Sequence, residues 1–353
     1  MSAFVTGFPG FLGRRLVARL AEREPVIALV HPSQREAADA AAAEIGGDRV
    51  EVLEGDIGAR GLGLTRDDYE RAATETTAVY HLAAIYDLAV PLETAQRVNV
   101  DGTGNVLDFC RRCTRLERHH YVSTAYVAGT RGGVVYEHEL ALGQGFKNHY
   151  ESTKFQAEVW VRDAMHEIPT TIYRPAIVVG DSRTGETQKF DGPYYMLRAV
   201  AFAEHRNQPI AQFGRAGAPF NVVPVDFVVD ALAAGHDQAA AGRTFHLVDP
   251  EPITAKEVLT LLAREYAGRE PSYRLPATLV AESLRVPAIR RAFGGAPRES
   301  IRYLNHPVRF DTRQANDFLA AQGLRCPRFE EYVGPVVSFF REHEEDPGFQ
   351  PAL

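Results

Sequence analysis

The chain has 353 residues, 45% of them hydrophobic and 24% charged, enough to bury one large core or two joined ones. That composition excludes whole-chain disorder and fibrous architectures. A formal net charge of −7 at pH 7 argues against a general phosphate-backbone binder, which needs a basic face, so nucleic acid is not an expected partner.

Residues 2–6 read as a short buried strand, and Gly10–Glu22 places Phe11, Leu12, Leu16, Val17 and Leu20 at helical spacing. The chain therefore opens strand, tight turn, helix. The pattern repeats with a strand at Val26–Val30, an Ala-rich helix from Gln34 to Ile45, and strands at Val50–Leu53 and Ala78–Leu82. A helix over Leu92–Cys113 and a strand at His120–Ser123 follow, then a helix at Tyr150–His166 and a strand at Thr170–Val179. Strands alternating with helices at this spacing imply right-handed crossovers and a parallel sheet covered on both faces. The expected fold is a doubly wound α/β (Rossmann) sheet with a smaller C-terminal substrate-binding lobe. The Gly- and Pro-rich stretches at 180–193 and 214–224, a strand at Thr244–Val248 and irregular helical sequence beyond set the division. Residues 1–180 and 220–250 form the dinucleotide-binding part, and 181–219 and 251–353 the lobe. In open α/β sheets ligands sit at the C-terminal edge of the strands.

Three cysteines, Cys110, Cys113 and Cys326, are too few for a disulfide framework and show no four-ligand pairing. No metal is expected, and the expected compartment is the reducing cytoplasm. Cys110 and Cys113 share a helix with Val106 and Leu107 and read as buried packing. No run approaches 18 apolar residues and the N-terminus enters folded structure at once, so neither a membrane span nor a signal peptide is expected.

Thr6-Gly7-Phe8-Pro9-Gly10-Phe11-Leu12-Gly13 joins the first strand to the first helix. Gly7 permits the tight turn, Gly10 lets a pyrophosphate approach the backbone, and Gly13 lets helix and strand pack closely. The free N–H groups around Phe11, Leu12 and Gly13, with the helix dipole, then hold the anion. The second strand ends Leu29-Val30-His31-Pro32-Ser33-Gln34-Arg35, with no carboxylate to grip a ribose diol, which favours NADP(H) while leaving NAD(H) open. His31, Ser33 and Arg35, with Arg14, are candidates for its 2′-phosphate. Asp56 and Ile57, after the third strand, are candidates for the adenine end.

Tyr150 and Lys154 lie four apart on one helix, so their side chains share a face. A lysine there, with the cofactor's cation nearby, is expected to favour phenolate and lower the tyrosine pKa, making a general acid usable near neutrality. The chain has only four lysines, Lys147, Lys154, Lys189 and Lys256. The preceding strand ends Val122-Ser123-Thr124-Ala125-Tyr126 and offers a hydroxyl at the sheet edge.

These motifs occur in order with His81-Leu82-Ala83-Ala84, Asn99-Val100-Asp101-Gly102-Thr103 and Arg174-Pro175-Ala176-Ile177-Val178-Val179-Gly180. Together they resemble an extended short-chain dehydrogenase/reductase. Val122–Val127 and Asn221–Val228 are most similar to the fatty acyl-CoA reductase and carrier-protein thioester reductase branch. The resemblance covers about residues 1–250 and is thin beyond. It implies that Tyr150 protonates the carbonyl oxygen, that Lys154 holds the nicotinamide ribose, and that Thr124 donates to the developing oxyanion. It also implies that Leu82, Ala83 and Ala84 line the cofactor, that Asn99 serves a relay water or the cofactor, and that Pro175, Ile177 and Val178 meet the nicotinamide amide through backbone groups. His31 stands where NADP-binding relatives usually show Arg, and Pro9 stiffens the turn.

The function expected is NADP(H)-dependent hydride transfer to an acyl thioester or a lipophilic aldehyde or ketone, with an acidic carrier protein as a candidate partner. The alternatives are a nucleotide-sugar epimerase or dehydratase retaining NAD, and a non-catalytic NADP-sensing protein. Residues 272–302 hold six arginines against two glutamates. They read as a solvated face or as a contact for CoA phosphates, an acidic carrier or a membrane surface, with Arg290 and Arg291 the positions to reverse.

Overall fold

The computed structural model describes all residues except 88–89, 214–216, 239–240, 277–278, 281, 283–284, 287–302 and 350–353. Most of the Arg-rich stretch, including Arg290 and Arg291, lies outside the described residues.

Seven parallel strands form the central sheet: β1 (Ser2–Thr6), β2 (Val26–Val30), β3 (Val50–Glu54), β4 (Thr76–His81), β5 (Arg118–Val122), β6 (Thr170–Pro175) and β7 (Thr244–Leu247). Their order is β7-β6-β5-β4-β1-β2-β3, with β1 paired to both β2 and β4. The direction of winding thus reverses at β1/β4, and the crevice beyond their C-terminal ends is where such sheets bind ligands.

Why these segments are strands is visible in how their side chains divide. Ala3 and Val5 enter one core while Phe4 enters the other, and Val26, Ala28 and Val30 oppose Ile27 and Leu29 in the same way. A strand buried on both faces reads as an unbroken apolar run because alternate residues feed separate cores. On the first face lie helices α1 (Phe11–Ala21) and α2 (Arg35–Gly46), contributing Leu16, Val17, Leu20, Ala38 and Ala41. On the second lie α3 (Arg66–Glu75), α4 (Gly102–Arg112) and α5 (His149–Ala164), contributing Ala72, Val106, Leu107, Ala157 and Val161. Cys110 and Cys113 are buried in that second core.

Two expected elements differ. The segment 170–179 is not one strand: β6 ends at Pro175, and Ile177–Val179 leaves the main sheet to pair with Val222–Pro224. The switch occurs where Ala176 N–H still bonds Leu247 but Ile177 N–H turns to Asn221. The helix expected over 92–113 is interrupted by a π-turn at Gln96–Asp101 before α4 begins.

Beyond β6 come α6 (Tyr194–His205), α7 (Val225–Gln238), α8 (Ala255–Ala267), α9 (Arg313–Ala321) and α10 (Phe329–His343). Helix α7 packs on α1, whereas α6 and α10 pack on α8. Phe190, fully buried, touches the rings of Tyr194, Phe340 and Phe349 with centroids 4.9–5.1 Å apart, so the chain's end holds the segment that follows Val179. Asp226 begins α7 and accepts from both the amide and the hydroxyl of Ser182, which ties the same segment to the helix start.

Candidate active site

The glycine turn occupies the β1/β4 crevice. Gly7 has φ +94, and a Cβ there would lie 2.9 Å from Ala83 N, so the turn is pressed against the loop leaving β4. A Cβ on Gly13 would lie 2.3 Å from the Gly7 carbonyl oxygen, which explains the third glycine: α1 starts directly beneath the turn. No side chain caps α1 and no acidic residue stands in its first turn. The amides at Phe11, Leu12 and Gly13 therefore form a backbone cradle with positive helix dipole, free of competing carboxylate, and they fit a pyrophosphate.

At the end of β2, His31 Nδ1 accepts from Ser33 N–H at 3.2 Å and lies 2.8 Å from its hydroxyl. Arg35 pairs with Asp39 at 2.8 Å, and Arg14 pairs with Glu44. These are exposed pairs of small net energy, which an arriving phosphate can displace. Asp56 is held by Arg97 at 3.2 Å and accepts from Gly58 N–H, so it closes its own turn as well as facing the sheet edge. Ile57 is buried in the second core, against Gly102.

The floor between β1 and α4 is a chain of hydroxyls. Ala83 N–H donates to Thr6 Oγ1 at 3.2 Å, Thr6 Oγ1 lies 2.7 Å from His81 Nδ1, and His81 Nε2 lies 3.1 Å from Thr103 Oγ1. Thr103 in turn donates to the Asn99 carbonyl at 2.7 Å. Burial, with Lys154 nearby, holds the His81 pKa well below its ordinary value, so the ring is neutral. Thr103 spends its one proton on the Asn99 carbonyl and so accepts from His81 Nε2–H, which leaves Nδ1 of the neutral ring to accept from the Thr6 hydroxyl. Leu82, Ala83 and Ala84 ride on this floor, half-buried.

Asn99 lies in the π-turn and is buried. Its amide bonds both backbone groups of Ile85, at 2.8 and 3.1 Å, and Thr153 Oγ1 at 3.0 Å. Both amide protons are engaged, so Asn99 joins the loop after β4 to α5. The N–H groups of Ala176 and Ile177 are likewise bound within the protein, while Ile177 and Val178 stay half-buried after Pro175.

The Thr124 side chain lies close enough to the Tyr150 phenol to ease its ionisation. The neighbouring hydroxyl, Ser123, donates instead to buried Glu158 at 2.6 Å, which separates the roles of two adjacent residues. Burial raises the Tyr150 pKa to about 12, against the lowering expected from a neighbouring lysine. The physical reason is desolvation of the phenolate, with the charge of Glu151 adding to it, so Tyr150 stands as the neutral phenol. Lys154, one turn on, is 2% exposed and donates to Tyr121 OH at 3.0 Å and to the Val122 carbonyl at 2.9 Å. Burial lowers its pKa to about 7, opposed by the charge of Glu158.

Several residues of the site were not singled out from sequence. Glu158, one further turn along α5, is gripped by Arg174 at 2.6 Å and Arg162 at 3.1 Å. Burial opposes ionisation of Glu158, but these charges outweigh it and its pKa falls. The signal was the run Tyr150, Lys154, Glu158 at i, i+4, i+8 on one helical face. Tyr86, Lys189 and Asp191 at the mouth carried no such signal, because they come together from two loops. Lys189 Nζ lies 5.7 Å from the Tyr86 ring centroid, and the nearby Asp191 charge adds to burial in raising the Tyr86 pKa.

The family model described as Male sterility protein, an NAD-binding family, matches residues 5–232. The chain belongs to that family. A fatty acyl-CoA reductase, wat, of Drosophila melanogaster is 25% identical over 277 residues, covering 65% of this chain and 53% of its own length. The chain spans about half the length, or less, of the first curated relatives it matches. Among solved structures, the terminal R domain of the myxalamid PKS-NRPS pathway superposes with a TM-score of 0.84 at 25% identity, covering 98% of this chain and 92% of that one. The UDP-glucuronic acid 4-epimerase of Bacillus cereus, in complex with NAD, reaches a TM-score of 0.68 at 17% identity, with 98% of each chain covered, and so shares the fold. This male sterility family member has the extended short-chain dehydrogenase/reductase fold. No helix among its described residues is long and apolar enough to cross a membrane.

Proposed function

We propose that this protein is an NADP(H)-dependent reductase that acts on the carbonyl of an acyl thioester, or of a lipophilic aldehyde or ketone. The observation that carries the reading is a neutral Tyr150 phenol beside Thr124, one helical turn from buried Lys154, whose Nζ donates to the Val122 carbonyl at 2.9 Å at the end of β5. A reductase needs a protonated acid at that point, and a non-catalytic sensor has no use for one. The glycine cradle supports dinucleotide binding, and the carboxylate-free end of β2, with His31 and Arg35, supports NADP over NAD.

The bound dinucleotide supplies hydride from its reduced nicotinamide. Tyr150 gives its proton to the carbonyl oxygen as negative charge develops there, and Thr124 donates to the same oxygen. Lys154, held by Tyr121 OH and the Val122 carbonyl, would hold a ribose hydroxyl of the dinucleotide. Ser123, Glu158 and Arg174 keep the strand end and α5 in register, so the Thr124 and Tyr150 hydroxyls converge. With a thioester, addition gives a hemithioacetal that collapses to aldehyde and thiol. Residues 181–219 and 251–353 shape the acyl side, and a carrier protein bearing the acyl group is the proposed partner. Three unpaired cysteines support a reducing, cytoplasmic setting.

The test is oxidation of NADPH, with NADH in parallel, against acyl-CoAs, long-chain aldehydes and nucleotide sugars. Turnover of an acyl-CoA with NADPH preferred is expected. Purification with tightly held NAD and turnover of a nucleotide sugar alone would replace the reading with the epimerase one.

A further inference from the structure

The two hydroxyls of the site come from different segments. Thr124 begins a short turn, Ala125–Ala128, and its oxygen accepts from the Tyr126 N–H at 3.3 Å, which leaves the hydroxyl proton to give. Tyr150 stands in the first turn of α5, between Asn148, which caps the helix, and Glu151, whose N–H that cap binds at 2.9 Å. Reduction needs both hydroxyls at one carbonyl oxygen. Whatever fixes the turn against the helix start therefore fixes the reaction geometry.

A buried polar cluster does this. Lys147 Nζ donates to the Gly129 carbonyl, where the Thr124 turn closes, at 2.6 Å, and to Glu151 Oε1 at 2.9 Å. Tyr303 joins the cluster from the C-terminal lobe. Its ring meets that of Tyr126 edge-on with centroids 5.0 Å apart, and Lys147 Nζ lies 5.0 Å from the same Tyr303 ring. Its hydroxyl donates to Glu151 Oε1 and accepts from Asn148 Nδ2, both at 2.8 Å. Burial and the Glu151 charge raise the Tyr303 pKa, so the proton stays available to that carboxylate. The chain carrying Tyr303 is anchored just beyond it: His306 Nε2 donates to the Arg131 carbonyl at 2.6 Å, and Val308–Phe310 pairs with Gly133–Val135.

Resting on the reductase reading above, we infer that Tyr303 is a positioning residue of the reaction, its ring holding the Thr124 turn and its hydroxyl holding the helix start that bears Tyr150. It touches neither reacting atom. One side chain of the lobe thus sets the spacing of the two hydroxyls, and the lobe completes the reductive centre as well as shaping the acyl side.

Tyr303→Phe keeps the ring and deletes only the hydroxyl, and Tyr303→Leu deletes both. Each is compared with wild type in steady-state reduction of octanal and octanoyl-CoA at saturating NADPH, with NADPH affinity measured separately by titration. In Tyr303→Phe, kcat should fall by about 10–100-fold, the scale of a misplacement of about 1 Å, while NADPH affinity stays within about twofold. Tyr303→Leu should be slower still. The Phe variant should also slow more than wild type on transfer to deuterium oxide, because the phenol proton then has further to travel. Wild-type kcat in Tyr303→Phe, with loss in Tyr303→Leu alone, reduces the residue to ring packing and overturns the inference. Parallel loss of turnover and NADPH binding in the Phe variant overturns it too, since a fold defect moves both. In either case the reductase reading stands. Wild type that oxidises NADPH with neither substrate overturns that reading, and the inference with it.

Discussion

Tyr150 and Lys154 are both displaced from their ordinary ionisation by the same cause, burial, but in opposite directions. The phenol, at about 12, stays protonated across the working pH range, so reduction should show no loss from Tyr150 ionisation between pH 6 and 9. Tyr150→Phe should lower turnover by about 10²–10⁴-fold while NADPH affinity, measured by titration, stays nearly constant. More than a tenth of the wild-type rate would remove Tyr150 from the acid role. Lys154 has the more unusual consequence for stability. Its pKa is lowered to about 7, whereas the unfolded chain keeps an ordinary lysine near 10.4. Between those values the unfolded state binds a proton that the folded state does not, so folding is favoured as pH rises. Below pH 7 the cost of the buried ammonium is fully present. Relative to Lys154→Met, the wild type should gain on the order of 1 kcal/mol per pH unit from pH 7 to 9. Urea midpoints at pH 6.5 and 9 measure it, and a pH-independent difference would show an ordinary lysine.

Among elements, the glycine turn and α1 are one unit. A methyl at Gly13 would meet the Gly7 carbonyl at 2.3 Å, backbone against backbone, so α1 must move outward. Gly13→Ala should cost about 1–3 kcal/mol by overpacking and weaken NADPH binding more than 10-fold, because the cradle amides move with the helix. Retained affinity in calorimetry would show that the amides do not hold the pyrophosphate. This unit was fully legible in the sequence because every requirement in it is local. Helix α3 was missed for the converse reason. Its sequence, RDDYERAATE, buries little beyond Ala72 and Ala73 and so has almost no apolar period. The available signal was its cap: Thr65 accepts from Asp68 N–H, with Asp67 and Asp68 in the first turn. The segment 170–179 reads as one strand because its apolar run is continuous, and nothing local reports that pairing passes from β7 at Pro175 to Val222 at Ile177. In the site the same rule holds. Tyr150 and Lys154 announce themselves through helical spacing, whereas Tyr121, Tyr86 and Asp191 depend on strands and loops far apart in sequence.

On the scale of the whole molecule, buried charges join the sheet to the chain that follows it. Arg174, 1% exposed on β6, binds Glu158 of α5, the Glu139 carbonyl and His246 of β7. Buried Glu137 accepts from the amides of His246, Gln314 and Ala315, so the first turn of α9 docks onto the sheet edge through a carboxylate. Arg174→Met should destabilise the protein by about 3–5 kcal/mol, because Glu158 is left buried without its main partner. Arg174→Met with Glu158→Leu should recover much of that loss in urea unfolding, and no recovery would mean that Glu158 does not carry the cost. The distribution of amines has a practical consequence of a different kind. Of the four lysines, Lys147 and Lys154 are sealed in the protein, Lys189 is half-covered at the mouth, and Lys256 on α8 alone is open to solvent. Succinimidyl esters at neutral pH should thus couple at Lys256 and the N-terminal amine well before the others, as peptide mass mapping would reveal. A dye, a surface or a second protein attached through Lys256 would sit at one defined point, and Lys189 would gain protection from the same reagent once a nucleotide and an acyl group fill the cleft beside it.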